Sequence, residues 1–217
     1  MVYLMRHVAG NPMQQASEPL LRQYAEVMAQ FHRVGFEYPN PVLGSNATWQ
    51  GKWKNRHELW GNLQDCPLIS QNLVIEAMQS IKETKSLTLP KTIVHGDFRL
   101  CHVFFEDESL SGLVDVDQST QGERFIDLCY GLVSGSVPEG GSLMTFEQLQ
   151  RTLSIYHKCL PLNEAEQFVL KAAFAYAILE TFTDLCEANA TEQDLNVTQA
   201  LLGAILRVSE EELLAGA

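Results

Sequence analysis

The sequence has no long apolar run and few basic residues. Nowhere do about 18 uncharged apolar residues follow one another, and residues 1–10 contain no apolar stretch followed by a small-residue cleavage site. Fifteen Lys and Arg stand against 27 Asp and Glu, which gives a formal net charge of −12. A nucleic-acid-binding surface needs clustered cationic side chains to neutralise phosphates. We therefore expect a cytoplasmic protein that neither enters a membrane nor binds nucleic acid.

Paired cysteine motifs are absent as well. The chain has five cysteines, an odd number, with no C-x-x-C pair, and most of them lie inside apolar runs: Cys66, Cys101, Cys129, Cys159 and Cys186. Scattered cysteines of this kind are typical of reduced core residues in a cytoplasmic protein.

Apolar residues recur at helical spacing over much of the chain, and 46% of the 217 residues are hydrophobic. The spacing predicts a helix from Ser17 to about Gly35, and further helices over 68–85, 125–135, 145–159, 163–189 and 192–214. The helix over 163–189 is apolar on much of its circumference, so we expect it to be the central helix. His32, near the end of the first helix, is expected to compensate the helix dipole. The second helix is expected to bury the stripe Leu73, Ile75, Met78 and Ile81.

Two segments before the second helix are expected to be irregular. Gly10-Asn11-Pro12 is expected to break the apolar, strand-like run over residues 1–8. Residues 36–67 hold three tryptophans between prolines and glycines, which indicates a loop with a short helix: Trp49, Trp53 and Trp60. This segment either lines a substrate site or is a packed loop, and the sequence leaves both open.

Histidines and carboxylates are concentrated between short strand-like runs over 91–117. The turn-forming residues over 106–112 predict a hairpin between 102–105 and 111–116. With the turn centred near Glu108, His102 lies opposite Val114 or Asp115, at about 5 Å. His102 and Asp115 are therefore expected together at the open end of the hairpin, beside Asp97.

This set of side chains contains a candidate base and candidate metal ligands. Such a set suits phosphoryl transfer, in which a carboxylate orients the attacking hydroxyl and a metal ion neutralises the phosphates. It also suits metal-assisted hydrolysis by His95, Asp97, His102 and Asp115, although the H-E-x-x-H signature of zinc hydrolases is absent.

The order and spacing of the motifs resemble a known family. His95-Gly96-Asp97, Gly112 to Asp117, Gly122-Glu123-Arg124 and Asp127-Leu128 are similar to the catalytic core of the aminoglycoside phosphotransferase, choline kinase and homoserine kinase family, whose fold is protein-kinase-like. The resemblance extends over about residues 1–190, and Val2-Tyr3-Leu4-Met5 resembles the hinge strand that joins the two kinase lobes.

The resemblance implies a fold of the α+β class, mainly helical, with a small β-hairpin catalytic sheet. The chain is expected to be one kinase-like carboxy-terminal lobe over 1–217, without an amino-terminal lobe. Residues 1–90 are expected to hold the hinge strand, helices and aromatic insertion, 91–131 the catalytic and metal-binding loops, and 132–217 a helical tail.

The family's roles carry over to individual positions. Asp97 resembles the catalytic base, and Arg99 occupies the place of a protein-kinase lysine that lies near the transferring phosphate. Asp115 resembles the carboxylate that chelates Mg²⁺ between the phosphates of ATP. For Asp117, a second metal ligand and a solvent-facing carboxylate are both open.

Three further residues are expected to support the site without reacting. His95 is expected to brace the catalytic loop, and Asp127 to tie this loop to the helical body. Arg124 belongs to the same supporting group.

His102 departs from the family pattern, which has Asn at this position as a metal ligand. A neutral imidazole binds zinc and other borderline ions better than Mg²⁺, which prefers oxygen. His102 is therefore either a metal ligand or the donor of a structural hydrogen bond to Asp97 or Asp115.

The chain also has no GxGxxG loop and no strand of the V-A-I-K type, which clamp the nucleotide in complete kinases. One hypothesis is a phosphotransferase lobe that uses ATP and Mg²⁺ to phosphorylate a hydroxyl of a small, cationic or sugar-like substrate. A partner chain that supplies the missing lobe, or a homodimer, fits this hypothesis. The alternative is a non-catalytic binding or regulatory module of the pseudokinase kind.

Overall fold

Helices make up most of the chain that the computed structural model describes, namely residues 8–13, 16–37, 60, 63, 69–84, 87–135, 144–188 and 190–215. In chain order, the helices in these ranges are α1 (Glu18–Glu37), α2 (Gln71–Thr84), α3 (Phe125–Ser134), α4 (Phe146–Cys159), α5 (Glu164–Glu187), α6 (Glu192–Arg207) and α7 (Glu210–Ala215). The mainly helical α+β fold is therefore confirmed. The predicted hinge strand over residues 2–5 lies outside the described residues.

Helix α1 follows from its apolar spacing and its first turn. Pro19 lies in the first turn, where its missing N–H costs no hydrogen bond. The helix buries one face, which comprises Leu21, Tyr24, Ala25, Met28, Ala29, His32 and Gly35. The predicted helix is confirmed, and it continues to Glu37.

Helix α2 forms where the apolar spacing places it, but the predicted stripe is wrong at one position. Ile81 is fully buried, together with Val74 and Ala77, whereas Ile75 is 51% exposed. Leu73 and Met78 are partly buried against the same core. The buried face is rotated toward positions 74, 77, 81 and 84 because α2 packs against α5 and α6 from that side.

Helix α5 is the central helix, as its apolar circumference predicts. It packs against α2, α3 and α6, and most of its residues between 169 and 185 are buried. Asn163 begins the helix with a capping box, because its side chain accepts from the Glu166 N–H while Glu166 accepts from the Asn163 N–H.

The last predicted helix is divided into two. Helix α6 ends at Arg207 and α7 begins at Glu210. The Ser209 side chain accepts from the Glu212 N–H at 3.1 Å, and Glu212 accepts from the Ser209 N–H at 2.7 Å. This second capping box starts a new helix, which explains why the periodic pattern continues through a break in the backbone.

Two small antiparallel sheets carry the loops between the helices. Strands β3 (Val103–Glu106) and β4 (Ser109–Leu113) form the predicted hairpin. Its two-residue turn places Asp107 at φ 49° and Glu108 at φ 61°, the left-handed conformations that a tight hairpin requires. The other sheet pairs β2 (Lys91–Val94) with β5 (Thr120–Glu123).

The segment Gly10-Asn11-Pro12 does not simply break the chain. Asn11–Pro12 forms β1, which pairs with Phe105 and Phe104 at the edge of the hairpin. Proline is tolerated there because an edge strand can leave one backbone position without a donor. Gly10 has φ +84°, and a Cβ at this position would lie 2.1 Å from the Phe105 carbonyl oxygen. Glycine permits this close approach.

The cysteines only partly match the predicted core positions. Cys129 is buried, Cys159 and Cys186 are partly buried, and Cys101 is exposed; all four are free thiols. Cys101 is exposed because it lies in a 3₁₀ turn, Leu100–His102, that directs Leu100 into the core instead. Cys66 lies outside the described residues. Among the described helices, none combines the length and apolar character needed to cross a membrane.

A buried ion pair joins the start of α3 to the start of α5. The Arg124 guanidinium donates from Nε and Nη2 to the two carboxylate oxygens of Glu166, both at 2.7 Å. It also donates to the carbonyls of Leu160 and Pro161. Arg124 therefore has the supporting position expected of it, between β5 and the central helix.

Glu166→Gln should destabilise the fold by about 3 kcal/mol, because it leaves the Arg124 charge buried without its carboxylate. The matched control is Glu164→Gln in the same helical turn, where the side chain is exposed and about 0.5 kcal/mol of helix-dipole energy is at stake. Urea denaturation of the two variants and the wild-type chain measures the difference. Equal losses in the two variants would contradict the importance of this ion pair.

Candidate functional site

The loop over residues 95–99, which we name the catalytic loop after the role predicted for Asp97, begins where β2 ends. Gly96 has φ +86°, and a Cβ here would lie 2.7 Å from the Gln118 carbonyl oxygen, so the turn needs glycine. Asp97 follows, with a side chain that is 18% exposed. The turn thus brings the Asp97 carboxylate to the surface at the open end of the hairpin.

Arg99 holds the Asp97 carboxylate from one side. Its Nε lies 2.8 Å from Asp97 Oδ1, and its Nη2 donates to Oδ2 at 3.0 Å. Burial acts to lower the pKa of Arg99, but the hydrogen bond and the charge of Asp97 outweigh it, so the pKa is raised overall. Arg99 is therefore a permanent cation in a two-point contact with Asp97.

His102 lies between Asp97 and Asp115. The Val114 N–H donates to the His102 carbonyl at 3.0 Å, which is the predicted hairpin register. The ring Nδ1 lies 2.8 Å from the Asp97 carbonyl oxygen, and Nε2 lies 3.3 Å from Asp115 Oδ2. Both hypotheses for His102, structural donor and metal ligand, therefore have a nitrogen in the required place.

Asp115 has a strained backbone. Its φ of 62° and ψ of 44° put it in the left-handed region. A non-glycine residue pays about 1 kcal/mol for this conformation, and such residues often lie in functional sites. The conformation ends the strand at Leu113 and turns the Asp115 carboxylate toward His102.

Three of the predicted ligands form one cluster. Asp97, His102 and Asp115 each offer a ligand atom, and these atoms lie within 4.8 Å of one another. Asp117 is exposed in the next 3₁₀ turn, where its carboxylate accepts from Gln118 Nε2 at 3.5 Å. The structure does not bring Asp117 into the cluster, so its role as a second ligand stays a prediction.

The ring of His95 stacks on that of His102, with centroids 6.1 Å apart, but its nitrogens contact other groups. Its Nε2 lies 2.9 Å from the Val114 carbonyl, to which it must donate, and its Nδ1 accepts from the Asp97 N–H at 3.3 Å. Since both ring nitrogens are used, His95 has no lone pair for a metal ion. This geometry contradicts the four-ligand hydrolase site that includes His95, and it places His95 as a brace between the catalytic loop and the hairpin.

Asp127 is fully buried in the first turn of α3 and accepts three hydrogen bonds. The donors are the backbone N–H groups of His95 and Gly96, and His32 Nε2 at 3.1 Å. The carboxylate thus connects the catalytic loop, α1 and α3 at one point.

The prediction for His32 is wrong. Its side chain is fully buried, and the helix continues five residues beyond it, so it does not compensate the helix terminus. Because Nε2 faces the Asp127 carboxylate, it carries the proton, and Nδ1 accepts from the Tyr156 hydroxyl at 2.8 Å. Burial raises the pKa of Tyr156, which therefore stays a donor. The signal available in the sequence was the position of His32 on the apolar face of α1.

A cavity of about 220 Å³ lies beside the catalytic loop, between α3 and α5. Gly96 lines it together with residues of the two helices: Phe125, Ile126, Cys129, Tyr130, Ala173, Tyr176, Ala177, Glu180 and Asp184. The acidic residues of this wall, Glu180 and Asp184, are not among the site residues predicted from the sequence. Glu180 and Asp184 lie one turn apart on a helix that is otherwise largely apolar, and this spacing is the signal that indicates a shared face.

Trp60 resolves part of the question about residues 36–67. It is 1% exposed, and its ring packs edge-on against Tyr176 with centroids 4.8 Å apart. Trp60 is thus a packed side chain behind a residue of the cavity wall. Trp49 and Trp53 lie outside the described residues.

The cluster of Asp97, His102 and Asp115 offers the ligand atoms of a divalent-cation site, but these atoms are of two kinds, oxygen and nitrogen. The two carboxylates suit Mg²⁺, whereas the imidazole suits borderline ions such as Co²⁺ and Zn²⁺. The Mg²⁺ expected from the resemblance therefore fits two of the three donors.

Known proteins with solved structures share this fold. A choline/ethanolamine kinase family protein from Mesorhizobium loti superposes with a TM-score of 0.62, at 14% identity over 97% of this chain and 72% of its own. A thermostable mutant of the aminoglycoside phosphotransferase APH(4)-Ia, in a complex with ADP and hygromycin B, superposes with a TM-score of 0.61, at 14% identity over 93% of this chain and 70% of its own. At these identities the likeness shows a kinase-like fold.

Sequence comparison identifies the family. A probable aminoglycoside 3'-phosphotransferase of Lactococcus lactis subsp. lactis is 28% identical over 130 residues, which are 59% of this chain and 47% of that protein. The chain thus spans about half the length of this curated relative. The sequence model described as "Phosphotransferase enzyme family" matches residues 2–162, well over half of the chain. Because this match extends over more than half of the chain, the chain belongs to the phosphotransferase enzyme family.

Proposed function

We propose that this chain is the catalytic lobe of a small-molecule kinase, which transfers a phosphoryl group from ATP to a hydroxyl of a small cationic acceptor. The observation that carries the proposal is the convergence of Asp97, paired with Arg99, and the strained Asp115 across the hairpin. A base, a permanent cation and a cation-binding carboxylate are the groups that phosphoryl transfer needs in one place.

In this proposal Asp97 orients the acceptor hydroxyl and receives its proton. Arg99 fixes the direction of the carboxylate through the two-point contact, and its charge lies where the transferring phosphoryl group arrives. A divalent cation beside Asp115 would neutralise charge on the nucleotide phosphates. The sequence has no GxGxxG segment, so closure over the phosphates is assigned to another segment, in the same polypeptide or in a partner chain.

The cavity between α3 and α5 is the proposed acceptor site. Gly96, the residue before Asp97, lines the cavity, whereas Asp97 is not a lining residue. The proposal therefore requires the acceptor hydroxyl to extend past Gly96 to the Asp97 carboxylate. Tyr130 and Tyr176 present aromatic rings, and Glu180 and Asp184 present carboxylates. Aromatic faces and carboxylates both attract cations, which favours an acceptor with an amino or ammonium group.

A second candidate, the non-catalytic module, is favoured by one specific contact. His102 occupies the place of the family's Asn and donates to the Asp97 carbonyl at 2.8 Å, which is also what a purely structural histidine would do. This candidate and the kinase differ in whether nucleotide binding and phosphoryl transfer depend on the two carboxylates.

Asp97→Asn should reduce phosphoryl transfer about 100-fold or more, because an amide cannot accept the hydroxyl proton. Asp115→Asn should weaken nucleotide binding in the presence of a divalent cation. The assay follows phosphate transfer from ATP to a panel of hydroxylated amines, with and without co-expressed segments that carry a glycine-rich loop. Asp107→Asn, in the exposed hairpin turn, is the control and should behave as the wild-type chain. Nucleotide binding or transfer that survives both substitutions would exclude the kinase and leave the module.

Glu180→Gln with Asp184→Asn should raise the KM for a cationic acceptor about tenfold while kcat changes little, because the charges act on binding in the ground state. A neutral acceptor of the same shape should show no such change. Glu187→Gln lies on the same helix outside the cavity and serves as the charge control. An equal effect on cationic and neutral acceptors would mean that these carboxylates do not select the acceptor.

The positioning role of Asp127 has a test of its own. Asp127→Asn should lower the free energy of unfolding by about 2–3 kcal/mol. The NH₂ group of the new amide would face N–H groups that donate to the carboxylate in the wild-type chain, so donors would face donors. Urea denaturation measures this loss, and hydrogen exchange of the His95 and Gly96 amides should accelerate beyond the global change. Asp117→Asn is exposed and should leave both measurements unchanged. Amides that stay protected in the Asp127 variant would show that the loop is held by other contacts.

A further inference from the structure

His102 presents a lone pair, not a proton, to Asp115. Its Nδ1 lies 2.8 Å from the Asp97 carbonyl oxygen, which can only accept, so Nδ1 carries the proton of the neutral ring. In that tautomer, Nε2 is an acceptor, and it lies 3.3 Å from the carboxylate oxygen Asp115 Oδ2, another acceptor. Two acceptors that face each other need a cation, or a water molecule that donates to both, between or beside them.

The separation of these two atoms fits adjacent ligands of one metal ion. Nitrogen and oxygen ligands lie about 2.0–2.2 Å from a first-row ion such as Zn²⁺. Two such ligands are therefore about 2.8–3.1 Å apart at octahedral angles, and about 3.3–3.6 Å apart at tetrahedral angles. The observed 3.3 Å between His102 Nε2 and Asp115 Oδ2 lies in the tetrahedral range. A direct hydrogen bond between a charged imidazole and a carboxylate would be shorter, at about 2.7–2.9 Å.

The surroundings support a site that is open on one side. The His102 side chain is 13% exposed and held by the hairpin, whereas the Asp115 side chain is 51% exposed. Asp97 adds a third donor within 4.8 Å. Two or three ligands from the chain leave positions for water and for phosphate oxygens on the open side.

We infer that His102 makes this a site for a first-row transition ion of the Mn²⁺, Co²⁺ and Zn²⁺ class, in preference to Mg²⁺. The imidazole nitrogen is a good ligand for Co²⁺ and Zn²⁺ and a weaker one for Mn²⁺, but it is a poor ligand for Mg²⁺, which binds oxygen almost exclusively. The inference rests on the proposed function, because it concerns the cation site of the same reaction. It goes beyond that function in naming the class of ion and the residue that selects it.

The test measures binding of Mn²⁺ to the metal-depleted chain, alone and with ADP. Pulsed electron paramagnetic resonance detects coupling of bound Mn²⁺ to a ligand nitrogen, and the intensity of the free Mn²⁺ signal gives the affinity. The wild-type chain should show an imidazole nitrogen coupling that His102→Asn abolishes. The variant restores the oxygen ligand of the family, so the Mg²⁺ concentration that displaces half of the Mn²⁺ should fall about tenfold or more.

His157→Asn is the matched histidine control. His157 is in α4, where its Nδ1 accepts from the Leu162 N–H, and it is outside the cluster. This variant should retain the nitrogen coupling and the preference for Mn²⁺. Asp115→Asn should weaken Mn²⁺ binding, and circular dichroism with urea denaturation shows whether each variant is folded.

Three results would overturn the inference: no nitrogen coupling at saturating Mn²⁺, a coupling that persists in His102→Asn, or an unchanged Mn²⁺ to Mg²⁺ preference. The assay contains no phosphoryl transfer, so the two proposals fail separately. A chain that binds Mn²⁺ through His102 and transfers no phosphate loses the proposed function alone. A chain that transfers phosphate but shows no coupling of bound Mn²⁺ to the His102 nitrogen loses the inference alone.

Discussion

The site depends on one buried carboxylate. Asp127 accepts from the N–H groups of His95 and Gly96, and from His32 on α1, so it holds together elements that are far apart in sequence. A buried carboxylate is stable only when its charge meets several donors, and here the donors are the backbone of the catalytic loop itself. The same carboxylate therefore stabilises the helical body and fixes the backbone that leads into Asp97.

A second constraint is the strain at Asp115. The left-handed conformation of Asp115, two residues after β4, is unfavourable by itself. An extended conformation at this residue would direct the carboxylate away from His102. The hairpin makes this possible, because its register fixes His102 opposite Val114 and leaves Asp115 as the first residue beyond the pairing. The tight turn at Asp107 and Glu108 begins the pairing, and an irregularity between Phe104 and Phe105 then shifts it by one residue, so that His102 lies opposite Val114 and not Leu113.

Local patterns predict the helices and the hairpin well, because each is encoded by neighbours. Helical spacing gives α1 and α5, and the turn residues give the hairpin. The register at His102 also depends on the irregularity between Phe104 and Phe105, which the turn residues do not predict. What the sequence does not reveal depends on packing between distant segments. His32 meets Asp127 across 95 residues and Tyr156 across 124, and no local pattern carries that information. The exposure of Ile75 and of Cys101, the pairing of Asn11–Pro12 with β3, and the cavity wall formed by Glu180 and Asp184 are likewise consequences of how the elements pack.

The exchange of Asn for His at position 102 is a narrow change in chemistry. An asparagine side chain offers both an N–H donor and an oxygen acceptor, and the imidazole offers an N–H donor and a nitrogen acceptor. The Asp97 carbonyl needs an N–H donor, and His102 Nδ1 supplies it at 2.8 Å. This hydrogen bond holds the backbone of the catalytic loop. The acceptor half alone is altered, and it faces Asp115 at 3.3 Å. Because the structural contact is kept while the proposed ligand atom changes from oxygen to nitrogen, we expect the fold to tolerate the exchange and the identity of the proposed ion to change.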